Sequence, residues 1–265
     1  MKVFQLTPLC HSLALIFSLS LFSSSVLAAP EESSSGLYAD GSDGKVFVDG
    51  NIKFPDGQIN NVESGITVTR INSNDQTVAV SLTTDKVDIQ TNHYGVWKDG
   101  ENSKIDIGNI NSEVLINVNG GNQNSHGVYA KNTGEVNLNG SSLEINVDMV
   151  GSGNYARAIT IEKDSQINVN ATSISLTAIS SLSKLYKQAV AADVSNNGKL
   201  VLGNENTSMV SLTAQSGVND NKGGKNTNRI SSAVKTNSGG SVSVLGDEIY
   251  LNATGYDAAG INVNN

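Results

Sequence analysis

Residues 125–147 read SHGVYAKNTGEVNLNGSSLEINV, three short alternating apolar pieces set between turn residues. Val128 marks the first piece, Val136 and Leu138 the second, Ile145 and Val147 the third. Period-two alternation bounded by Gly, Asn and Ser marks short strands with one face turned inward. A hairpin needs two such pieces; this chain has three, and it repeats them. The middle piece starts at residues 105, 136, 167, 200 and 242, in steps of 31, 31, 33 and 42. Val96, Val128, Ile159, Ala192 and Val234 precede these starts by eight or nine residues. A third alternating piece follows each time, starting at Ile116, Ile145, Ile174, Val210 and Ile249.

A repeat of roughly 30 residues with three strands predicts a solenoid, each unit making one turn and pairing in parallel with the next. The predicted fold class is therefore all-β, a parallel β-helix with three short strands per turn. It is expected to be right-handed, because parallel crossovers overwhelmingly are. Inward residues should then stack in columns: Ile105, Val136, Ile167, Leu200 and Val242 in one, Ile107, Leu138, Val169, Leu202 and Val244 in another. The outward column between them reads Asp106, Asn137, Asn168, Val201 and Ser243. The glycines of the opening stretch read as corner residues, as do Asn132-Thr133-Gly134, Asn197-Gly198 and Ser238-Gly239-Gly240, because Gly and Asn accept left-handed backbone. The polar, Gly- and Asn-rich stretch 215–229 reads as a loop inserted at a turn. Ile179, Leu182, Leu185, Tyr186 and Ala189 have the spacing of a short helix, with an irregular loop as the equal alternative.

Lys2, an apolar run over 13–22 and the small residues before Pro30 have the order of a secretory signal peptide, predicted to be cleaved after Ala28. Its removal takes away Cys10, the one cysteine, so stability must come from burial and hydrogen bonding. Residues 29–65 read as an N-terminal cap in which Val46 to Val48 and residues 52–54 flank Asp49-Gly50-Asn51 as a tight hairpin. Residues 66–265 carry the repeats, with Ile66 and Val68, Val78 and Val80, and Val87 and Ile89 as a less regular first turn. Ala258-Ala259-Gly260-Ile261 opens a sixth unit, so a piece of a longer array is expected.

The signal peptide, the cysteine-free mature chain and the Asn- and Gly-rich turns of the kind Gly127-Val128-Tyr129-Ala130 and Gly134-Glu135-Val136-Asn137-Leu138 resemble the passenger region of bacterial autotransporters. The resemblance covers about residues 38–265. It implies export to the surface of a cell with a Gram-negative-type outer membrane, and adhesion to a host or neighbouring-cell surface protein or glycan. The family's C-terminal outer-membrane barrel is not among these residues and is expected in a full-length protein.

Formal net charge is −8 and no basic stripe is visible, which argues against nucleic acid. No cofactor and no metal site is expected. A glycan-cleaving β-helix would need two carboxylates facing one groove, yet Asp106 is followed by Asn137 and Asn168, and Glu144 should align with Leu115 and Ser173. Asp40, Asp43 and Asp49 lack a full calcium loop. His93 and His126 fall at near-equivalent surface positions and make a poor metal site by themselves. The reading is therefore a binding protein, with a glycan-cleaving enzyme or a structural spacer as the alternatives. Its candidate binding residues are Trp97 and Tyr129, which should form an aromatic ladder, and Asn219, Lys222 and Lys225 in the inserted loop.

Overall fold

The computed structural model describes residues 37–39, 46–48, 52–53, 64–68, 79–82, 85–121, 124–150, 153–180, 188–217, 230–255 and 257–264. The signal-peptide segment and Asp40, Asp43 and Asp49 lie outside them, and so does most of the inserted loop, with Asn219, Lys222 and Lys225. All described elements are strands. They run as β1 (Leu37–Ala39), β2 (Val46–Val48), β3 (Ile52–Lys53), β4 (Ser64–Val68), β5 (Ala79–Leu82), β6 (Lys86–Thr91), β7 (Tyr94–Lys98), β8 (Ser103–Ile107), β9 (Glu113–Gly120) and β10 (Ser125–Ala130). Then follow β11 (Gly134–Met149), β12 (Tyr155–Ile161), β13 (Ser165–Ser180), β14 (Gln188–Val194), β15 (Lys199–Leu202), β16 (Met209–Gln215), β17 (Ile230–Asn237), β18 (Ser241–Val244), β19 (Glu248–Thr254) and β20 (Asp257–Asn264).

Every recorded pairing is parallel, and each strand lies beside its counterpart one coil away. The first pieces form one sheet in the order β1-β4-β7-β10-β12-β14-β17-β20, and the second and third pieces form the other. In β11 and β13 the second and third pieces run on as single strands of 16 residues. The predicted inward columns hold: Val136 is in register with Ile105 and Ile167, Leu200 with Ile167 and Val242. Ile105, Val136, Ile167 and their partners Ile107, Leu138 and Val169 are fully buried. Each such side chain contributes about 1.5–3 kcal/mol by leaving water, which explains how a chain with 5% aromatics builds a core.

Several expectations are corrected. Val46–Val48 and Ile52–Lys53 do not form a hairpin; they pair in parallel with β5 and β6, as a further turn of the coil. In β5, Val80 and Leu82 are in register with Ile105 and Ile107, and Val78 lies outside the described residues. The third piece slips by two residues: Leu176 and Ala178 lie opposite Ile145 and Val147, and Ile174 lies opposite Leu143. Ile179 and Ala189 sit in strands, not in a helix, and residues 181–187 are outside the described part. Gly127 is not a corner. It lies within β10, where a Cβ would come within 2.2 Å of Ile145 Cγ2 and 2.6 Å of the Ala158 carbonyl.

The corners themselves follow the prediction. Equivalent corner positions between the first sheet and the second piece fall at 131–133, 162–164, 195–197 and 237–239 in successive units. Their middle members Asn132, Lys163, Asn196 and Ser238 all have left-handed backbone, with φ of 63°, 54°, 52° and 48°. Gly134 completes its corner at φ 117°, a value that suits only glycine.

Candidate functional site

The outer face of the first sheet gathers the chain's polar and aromatic chemistry into two adjacent columns. Register places Tyr94, His126 and Arg157 in one column and Trp97, Tyr129, Thr160, Asp193 and Lys235 in the other. Between the columns each strand carries a small residue, Gly95, Gly127, Ala158 or Ala191, and an inward Val96, Val128, Ile159 or Ala192; at Gly95 and Gly127 a Cβ would clash with Ile116 and Ile145 of the third-piece strands.

At one end of this face the rings stack. Tyr94 lies 5.0 Å from Trp97, 5.3 Å from His126 and 5.8 Å from Tyr129 between ring centroids, with interplanar angles of 24°, 19° and 15°. His126 and Tyr129 stack at 5.1 Å. Offset stacks of this kind add about 0.5–1.5 kcal/mol beyond area burial. Tyr129 Oη donates to Glu162 Oε2 at 3.0 Å. Burial, reinforced by the Glu162 carboxylate, pushes this phenol above its ordinary range, so it stays protonated as a donor.

The expected ladder of Trp97 and Tyr129 is therefore present in register, but Tyr94 is the ring that ties it together. His93 and His126 are not surface equivalents. His126 is in register with Tyr94, only 6% exposed, with Nδ1 2.9 Å from Thr160 Oγ1. Burial, helped by the positive charge of Arg157, holds its pKa well below the ordinary value, so the ring is neutral at neutral pH. Tyr94 was missed because spacing alone aligned His126 with His93, one residue off the true register.

At the other end the face is ionic. The buried Asp193 carboxylate meets Arg157 Nε at 3.1 Å and Lys235 Nζ at 3.8 Å. Arg157 also lies over the Tyr155 ring at 4.5 Å, within cation–π range. Stepping the Trp97 and Tyr129 position along the repeat would have found Asp193 and Lys235. The Trp97 indole Nε1 is buried and has no hydrogen-bond acceptor among the described residues.

The outer face of the second sheet carries amides. Asn137 Nδ2 donates to Asp106 Oδ1 and Asn168 Nδ2 to Asn137 Oδ1, each at 2.8 Å, so the predicted outward column is a hydrogen-bonded ladder. Lys104 bridges Asp106 and Glu135 at 3.4 Å each. Glu144 aligns with Leu115 and with Ser175, not Ser173, because of the slip in the third piece. Among the described residues no group of three or more His, Cys, Asp and Glu is placed to hold a metal ion, and no helix is long and apolar enough to cross a membrane. Compared with known proteins, the chain matches no family model, no curated protein and no solved structure.

Proposed function

We propose that this chain is a binding module: an exported, surface-displayed β-solenoid of the autotransporter-passenger kind. It attaches its cell to a protein or glycan on a host or neighbouring cell and makes or breaks no bond. The observation that carries this reading is the stacked group of Tyr94, Trp97 and Tyr129 on the outer face of a rigid parallel sheet. All three rings are half-buried, so each keeps an edge towards solvent. Aromatic rings held in fixed orientation recognise a partner with little loss of conformational entropy, which is why such residues dominate binding hot spots. The signal-peptide pattern supports export, and the polar outer walls support display in water.

The test compares attachment of beads coated with the purified chain to cultured epithelial cells and to bacterial cells. Trp97→Ala and Tyr94→Ala should each lower attachment at least threefold while the circular dichroism spectrum keeps its β signature. Attachment that is equal in the folded variants and the parent chain removes the aromatic face from the reading.

A further inference from the structure

A groove of about 410 Å³ runs along the corner between the two sheets, lined by Glu101, Asn132, Thr133, Lys163, Asp164, Asn196 and Asn197. Its walls come from four successive coils, so equivalent positions recur about 4.8 Å apart. Two rows of contacts must be distinguished. Asn132 and Thr133 are committed to the fold: Asn132 Nδ2 donates to Asp99 O at 2.9 Å, and Thr133 Oγ1 accepts from Asn102 N at 3.2 Å. Glu101, Lys163, Asp164, Asn196 and Asn197 are exposed, and among the described residues their side chains have no hydrogen-bond or ion-pair partner. Five exposed polar side chains thus line one concavity, their hydrogen-bonding groups open to water or to a ligand.

The floor is rigid. Lys98, wholly buried, reaches beneath the corner and donates to the carbonyl oxygens of Lys131 and Asn132 at 3.1 Å and of Thr133 at 2.5 Å. A groove held from below in this way needs little reorganisation to bind. Strain points to the same place. The left-handed middle position of the corner holds Asn132, Asn196 and Ser238 in the neighbouring units, and Asn is a residue that visits this conformation routinely. Here it holds Lys163, followed by a second left-handed residue, Asp164, as Asn196 is followed by Asn197 and Ser238 by Gly239. A long side chain kept where a glycine or asparagine would relax the backbone is a recognised mark of function.

The lining selects the ligand class. It carries no aromatic or aliphatic side chain, which disfavours an apolar ligand. Two carboxylates against one ammonium, on a chain of formal charge −8, disfavour an anion. Amides, carboxylates and an ammonium together offer both donors and acceptors, the complement of a ligand whose hydroxyls donate and accept at once. The coil spacing is close to the length of one sugar ring. We propose that this corner groove is a binding subsite for a neutral oligosaccharide, seated along the coil axis and held by Glu101, Lys163, Asp164, Asn196 and Asn197. The site is separate from the aromatic face and does not depend on the adhesive reading.

Isothermal titration of the purified chain with chitotetraose, cellotetraose and a sulfated heparin tetrasaccharide tests it. At least one neutral sugar should bind saturably, and Asn196→Ala should raise its Kd at least fivefold. Lys163→Gly separates strain from recognition: it should keep or raise the thermal midpoint and still weaken binding at least threefold. The proposal is overturned if neither neutral sugar saturates, if the sulfated sugar binds more tightly, or if both groove variants bind like the parent. Loss of sugar binding in Trp97→Ala but not in the groove variants overturns it too, because the ligand would then sit on the aromatic face.

Discussion

Lys98 shows how much a single inward position can decide. It stands in register with Ala130, which is itself in register with Ile161, so its side chain enters a column that is apolar in the following coils. A buried ammonium needs partners. It finds them in the corner carbonyls and in Ser165 Oγ at 3.3 Å. Asn132 O and Thr133 O have second donors in Ser165 Oγ and Asn102 N, so Lys98→Met orphans chiefly the carbonyl of Lys131. Urea denaturation should show a loss of about 1–3 kcal/mol, the desolvation penalty of one unsatisfied buried group. Burial lowers the Lys98 pKa to about 8, outweighing the opposite pull of Asp99. The unfolded chain holds this proton to about 10.5 and the folded chain only to about 8, so between these values the unfolded state binds more protons. The stability of the parent relative to Lys98→Met should therefore rise as pH increases from 8 to 10.5. A flat or falling difference would mean that the carbonyls hold the ammonium charged throughout.

At the scale of strands, alternation identifies which face a residue takes but not which neighbour it meets. A shift of one residue inverts the faces of a strand, whereas a shift of two preserves them. This is why the columns through Ile105 and Ile107 were legible in the sequence while the third piece of the 167 unit was placed two residues early. The mistaken hairpin has a related cause: Asp49-Gly50-Asn51 satisfies turn chemistry, and only the parallel partners in β5 and β6 show that the flanking pieces do not pair with each other. The aromatic site was half legible. Trp97 and Tyr129 each directly follow the inward valine of their first piece, Val96 and Val128, but Tyr94 depends on register. The amide ladder offers a test at this scale. Asn137 both donates to Asp106 and accepts from Asn168, so Asn137→Ala removes two hydrogen bonds and should cost about 1–3 kcal/mol. Asn137→Asp sets a carboxylate against Asp106 instead, and like charges one coil apart repel. Thermal melts at pH 7 should place Asn137→Asp below Asn137→Ala. That gap should narrow as salt is raised, because repulsion between solvent-facing charges is screened.

For the whole molecule, stacking has a consequence that a globular core lacks: each coil touches only the one before and the one after it, so stability is close to a sum of nearest-neighbour terms. Ile145 makes the point accessible. It is fully buried, in register with Ile116 on one side and Leu176 on the other, and Gly127 is kept free of a side chain beside it. Ile145→Ala leaves a cavity in the middle of the stack and should cost about 2–5 kcal/mol. In a globular domain that loss would lower protection everywhere the global unfolding reaction sets the rate. Here the weakened contacts lie between β9, β11 and β13, so native-state hydrogen exchange should quicken in those strands. It should change little in β16 and β19, whose contacts with each other are untouched. Equal acceleration along the whole chain would show that the coils unfold as one cooperative block. The polar grooves and aromatic face would then be parts of a single rigid body, and local loosening in one coil could not tune binding in another. Confined acceleration would mean the opposite, that the corner groove over β11 and β13 can be loosened while the far coils hold.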